Sequence, residues 1–142
     1  MRRFFDTNVL VYLVDRSDPV RQARAEAVFA EAAEADQVVL SAQVLQELFV
    51  TVTRKLARPL PREDAELLVK GLVAFPVVPI DAELVLAAAA LSARHRLSYW
   101  DGAIVAAALA GGATELLSED LQHKQVIEGI TLVNPFKSGR RK

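Results

Sequence analysis

Asp6, Glu47, Asp101 and Asp120 stand at the ends of short apolar runs or where helices begin. Each offers hard carboxylate oxygens, the donors that Mg²⁺ and Mn²⁺ prefer. Four such groups on one rim would repel and raise one another's pKa unless a cation neutralised them. A divalent ion held there makes its water a nucleophile and neutralises charge on an attacked phosphodiester, so a converged set implies phosphodiester hydrolysis.

The elements between the acids decide whether they converge. Arg2 to Phe5 reads as a first strand ending at Asp6-Thr7-Asn8, with Val9 to Val14 a short helical segment. Asp18-Pro19 is an N-cap followed by proline at the first helical position, and Val20 to Ala35 has amphipathic helical spacing. Val38 to Leu40 reads as a second strand, and Ser41 caps a helix from Ala42 to about Ala57. Arg62 to Ala74 forms another helix, and Val77 to Ile80, flanked by prolines, reads as an edge strand. Asp81 caps a long Ala-rich helix to about Arg96, and a further helix opens at Asp101 and ends at Gly111-Gly112. Glu115 to Leu117 and Ile130 to Val133 complete five expected strands.

Strands alternating with helices predict a single-domain α/β fold, a three-layer α/β/α sandwich around a mostly parallel five-stranded sheet. Ligands of such sheets gather at the carboxyl ends of the strands. Asp6 and Asp120 follow strands there, and Glu47 lies early in the helix leaving the second strand. Where Asp101 falls depends on the routing of residues 81–100, which the sequence leaves open.

Bulk composition fits this reading. A chain of 142 residues is about one domain, with 1–136 the folded part and 137–142 a flexible basic tail. There is no cysteine, which removes disulfides and thiolate metal sites. The basic and apolar start resembles a signal peptide, but Asp6 and Asn8 interrupt it and no cleavage site follows. No apolar run approaches a bilayer span, so no membrane association and a soluble, cytoplasmic protein are expected. The net charge of -1 gives no global positive field, so a polyanionic partner must be held locally.

Four segments in order, F-F-D-T-N-V-L, S-x-x-V-L-Q-E, S-Y-W-D-G-A-I-V-A-A-A and L-L-S-E-D-L-Q, resemble the signature segments of PIN-domain nucleases, and most closely the VapC-type toxins of toxin–antitoxin pairs. The resemblance spans nearly the whole chain. It implies that Asp6, Glu47, Asp101 and Asp120 hold one or two Mg²⁺ ions, with Mn²⁺ as a substitute, and that Thr7, Asn8 and Ser118 position these acids. It also implies cleavage of single-stranded RNA, often tRNA or ribosomal RNA, inhibition by a cognate antitoxin, and a homodimer. At Ser118-Glu119-Asp120 two acids adjoin; Asp120 occupies the Ser-x-Asp position, and Glu119 is the additional candidate.

Plainer roles stand beside these. Asp6 with Asn8 could be an Asx-turn and helix cap, Glu47 a solvated helix residue, Asp101 an N-cap and Asp120 a strand terminator. Tyr99 and Trp100 could stack a base, but packing against a neighbouring helix is the commoner fate. Arg54, Lys55, Arg58, Arg94 and Arg96 could meet phosphates or merely solvate the surface. His95 and His123 lack partners at metal-ligand spacing, and Asp15, Asp18, Asp36, Asp64 and Asp81 belong to turns and caps. Two alternatives to a ribonuclease follow: a catalytically silent RNA-binding or protein-interaction module, and a metal-dependent phosphatase.

Overall fold

The computed structural model describes residues 1–137 of the protein; the rest of the basic tail, 138–142, lies outside the described residues. Its sheet runs in the order β3-β2-β1-β4-β6-β5, from β1 (Arg2–Phe5), β2 (Val38–Ser41), β3 (Val77–Val78), β4 (Ala113–Leu117), β5 (Val126–Ile127) and β6 (Ile130–Val133). All neighbours pair in parallel except β5 with β6. The expected α/β/α sandwich is present, with β3 on an edge as its prolines require. Among the described residues the sheet has six strands rather than five. The sixth escapes a periodicity reading because it is a two-residue hairpin arm, closed by Glu128 and Gly129 at φ of 54° and 83°. Hairpin turns with both central residues at positive φ match the twist of their strands.

Side chains alternate across the sheet and divide the helices between its faces. Phe5 meets Phe29 of α2 (Pro19–Glu34) edge to face, with centroids 5.1 Å apart. On the other face lies Val39, paired in register with Phe4 and packed on the end of α6 (Tyr99–Ala110) beside Gly111. Central parallel strands are covered on both sides, and all four residues of β2 are buried accordingly. The remaining helices are α1 (Thr7–Tyr12), α3 (Ala42–Arg54), α4 (Arg62–Leu72) and α5 (Ala82–His95). The caps read from the sequence hold: Asp18 accepts from Arg21 N–H, Ser41 from Val44 N–H and Asp81 from Leu84 N–H.

The helix expected to open at Asp101 opens two residues earlier. Ser98 is its cap, accepting from the Asp101 backbone N–H at 3.0 Å, which leaves the Asp101 carboxylate in the first turn, where the helix dipole favours it. This helix lies unusually close to α5, because a Cβ on Gly102 would stand 2.8 Å from the Ala88 carbonyl oxygen and 2.9 Å from Ser92 Cβ. Ala106, Ala107 and Ala108 are buried within the chain, so intramolecular packing accounts for that run of small residues.

Gly102→Ala is therefore expected to destabilise the protein. Overpacking against a backbone carbonyl costs about 1–3 kcal/mol and outweighs the helix-propensity gain of about 1 kcal/mol. Gly71→Ala, in α4 with nothing within 4 Å of the added carbon, is expected to stabilise by about 0.5–1 kcal/mol. Urea unfolding of both variants measures the opposite signs.

Candidate active site

Between β1 and β4 the chain order reverses, and this is where an α/β sheet opens a crevice at its carboxyl rim. Phe5 is level with Leu117, the Asp6 N–H donates to the Leu117 carbonyl at 2.9 Å, and Asp6 and Ser118 emerge side by side. An open cavity of about 590 Å³ lies there, and Asp6, Glu47, Asp101 and Asp120 all line it. The routing left open by the sequence is thus settled: the start of α6 faces the same cavity as the ends of β1 and β4.

Polar neighbours fix three of the acids. The Ser118 hydroxyl donates to Asp6 Oδ2 at 2.8 Å, and the Thr7 N–H donates to Oδ1 at 2.7 Å, so Asp6 also caps α1. The Thr7 hydroxyl donates to Glu47 Oε1 at 2.7 Å. The Asn8 amide donates to Asp120 Oδ2 at 3.0 Å, while its own oxygen accepts from the Glu119 N–H at 3.0 Å. Asp101, relieved of capping by Ser98, has no side-chain partner among the described residues.

Glu119 is held elsewhere. Its oxygens accept from the Tyr12 hydroxyl at 2.9 Å and from Arg21 Nε at 2.7 Å, and the guanidinium lies 5.7 Å from the Tyr12 ring centre and 5.6 Å from that of Phe136. Glu119 does not line the cavity, whereas Asp120 does. Burial and the adjoining carboxylate push the Tyr12 phenol up to about 12, so it remains a donor at neutral pH.

Several cavity residues had no role, or only an open one, in the sequence reading. Gln43 is buried and donates to Glu47 Oε2 at 3.3 Å; its i,i+4 spacing on α3 was the available signal. Asp15, assigned to a turn, lines the cavity while its Oδ1 accepts from Ser17. Lys55 lines it too. Trp100, expected to pack against a helix, instead is 64% exposed at the cavity.

Electrostatically the site is unbalanced. Among the described residues none of the four lining acids has an Arg, Lys or His partner, although Arg3, Arg21, Arg62 and Arg94 each pair with an acid elsewhere. Asp6 is 8% exposed, and burial, with Glu47 and Asp120 adding, pushes its carboxyl up to about 6 against the pull of the Ser118 and Thr7 hydrogen bonds. Among the described residues no three His, Cys, Asp or Glu side chains are arranged to hold a metal ion. The donor set nevertheless suits a hard cation. It is all oxygen, lacks a competing ammonium or guanidinium partner, and opens on space for the waters that Mg²⁺ retains beside one or two carboxylates.

The family model for the PIN domain matches residues 3–128. The chain belongs to the PIN-domain family. Solved structures with the same fold include the following three. A toxin–antitoxin complex from Klebsiella pneumoniae is 23% identical over 94% of this PIN domain chain and 98% of its own, with a TM-score of 0.68. VapC20 of Mycobacterium tuberculosis, a sarcin-ricin loop cleaving toxin, is 20% identical over 83% and 91%, with a TM-score of 0.65. VapBC2 from Rickettsia felis, bound to a DNA fragment from its promoter, is 17% identical over 93% and 97%, also with a TM-score of 0.65. Comparison with curated proteins finds no match. No helix among the described residues is long and apolar enough to cross a membrane.

The raised Asp6 pKa has a defined sign in the metal-free protein. The folded state holds this proton more tightly than the unfolded chain, so its contribution is full below about 3.8 and is lost as pH rises through about 6. Asp6→Asn lacks that loss. Thermal melts in chelator are expected to show the variant gaining on the wild type between pH 4 and pH 7, by on the order of 3 kcal/mol. A constant difference across that range would contradict the burial argument.

Proposed function

We propose that this PIN domain is a metal-dependent endoribonuclease, the toxin of a toxin–antitoxin pair, hydrolysing phosphodiester bonds of RNA. The observation that carries the reading is the cavity at the carboxyl rim, lined by Asp6, Glu47, Asp101 and Asp120 without a cationic partner among the described residues. These four would hold Mg²⁺, or Mn²⁺ in its place. When bound, the ion supplies an activated water and neutralises charge on the attacked linkage.

The chain's own residues prepare that cavity. Ser118 and the Thr7 N–H fix Asp6, the Thr7 hydroxyl fixes Glu47, and Asn8 fixes Asp120. Such outer hydrogen bonds orient donor oxygens and restrict their rotamers before a ligand arrives. Asp101 enters from the other side of the sheet, on α6. Tyr12 and Arg21 keep Glu119 turned away, so it takes a supporting rather than a ligating place.

The toxin assignment is supported by the shared fold with the Klebsiella complex and with VapC20. With it come an antitoxin partner, a homodimer, a cytoplasmic site of action and a structured RNA target such as tRNA or ribosomal RNA. Val85 and Leu86 of α5 are exposed apolar side chains available to such contacts.

Asp6→Asn is expected to reduce cleavage of structured RNA in Mg²⁺ to the level seen in EDTA, with circular dichroism unchanged. Cleavage at the wild-type rate would remove the reading; hydrolysis of a phosphomonoester but not RNA would favour a phosphatase. Asn8→Ala is expected to weaken Mn²⁺ binding by about 10–100-fold in calorimetry, since it frees Asp120.

A further inference from the structure

Trp100 is the only tryptophan of the chain, and it is 64% exposed on the second residue of α6. Its backbone is nevertheless anchored. Ser98 caps the helix beneath it, and half-buried Tyr99, packed on the core, meets the indole edge to face with centroids 5.1 Å apart at 83°. A large rigid aromatic surface is thus held in water beside Asp101, on the cavity lined by all four acids. Lys55 lines the same cavity and makes no ion pair among the described residues. Exposed apolar side chains Val50 and Trp100 share that lining with charged ones.

We propose that Trp100 stacks on an unpaired base next to the linkage to be cut, and that Lys55 receives an adjoining phosphate. An aromatic face combined with a cationic contact is the physical pattern of single-strand recognition. Base pairs bury their faces in the duplex stack, so a stacking platform admits a nucleotide only where the strand is unpaired or splayed. The ammonium also offsets, at one point, the repulsion between a polyanion and an acid-lined cavity. The inference rests on the ribonuclease reading and adds to it a specificity-determining residue, Trp100, and a phosphate contact, Lys55.

Because no other tryptophan is present, fluorescence excited at the red edge, where Tyr12 and Tyr99 do not absorb, reports Trp100 alone. Full-length protein with Ca²⁺ in place of Mg²⁺ is titrated with a short single-stranded oligoribonucleotide, with its duplex, and with an abasic backbone of equal charge. Quenching by the single strand alone is expected. By anisotropy of an end-labelled strand, which needs no tryptophan, Trp100→Ala should weaken binding by roughly tenfold or more, with Trp100→Phe restoring most of it. In cleavage assays Trp100→Ala should raise KM more than it lowers kcat, and Lys55→Gln should reduce the salt dependence of binding by about one phosphate contact. Equal quenching by the abasic strand, or unchanged affinity in Trp100→Ala, overturns the inference. The latter result with lost binding of a partner protein would give the indole to that contact instead. Quenching without any cleavage in Mg²⁺ keeps the stacking role and removes the ribonuclease reading.

Discussion

The arrangement turns on a carboxylate placed where the protein cannot easily solvate it. Asp6 follows a strand whose last two residues are fully buried, and the charges of Glu47 and Asp120 add to the cost of ionising it. Two hydrogen bonds reduce the cost of ionising it without removing it. Evenly compensated charge is what folding alone would favour, and the arginines near the sheet supply it elsewhere, as Arg3 does for Glu115. Among the described residues the four acids at the rim lack that compensation, and the proposed cation site rests on this imbalance.

Positioning depends on neighbours that are not themselves acidic. Gly102 lets α6 approach α5 at backbone distance, and the same helix start presents Trp100 and Asp101 to the cavity. On the opposite wall, Thr7 and Asn8 leave β1 in consecutive positions and reach Glu47 and Asp120, which are remote in sequence. The Tyr12–Arg21–Glu119 cluster uses the first acid of the Glu119-Asp120 pair as a structural anchor, separating two adjacent carboxylates that would otherwise compete for one place.

Much of the frame was legible because it rests on local rules. Prolines, caps and apolar runs located five strands and the helices between them, and parallel order placed Asp6 and Asp120 on one rim. The missed strand, Val126–Ile127, is too short to show a period, and its turn uses Glu where Asn or Asp would have signalled it. The start of α6 was misread because Ser98 and Asp101 are both good cap residues; only the backbone decides between them. The exposure of Trp100 was likewise beyond reach, since an aromatic beside a helix start reads the same whether it faces a neighbour or solvent. Residues such as Gln43 and Lys55 join the cavity through tertiary placement, which helix-face spacing hints at but does not fix.

The two outer strands of the sheet, β3 and β5, contain two residues each. An exposed strand edge is a template onto which another chain can zip its backbone, and its reach grows with the number of free amides it displays. Here each border ends almost as soon as it begins, one flanked by prolines and the other folded back in a tight turn. Among the described residues these borders therefore offer little to self-assembly by sheet extension, and the helices present the longer continuous faces.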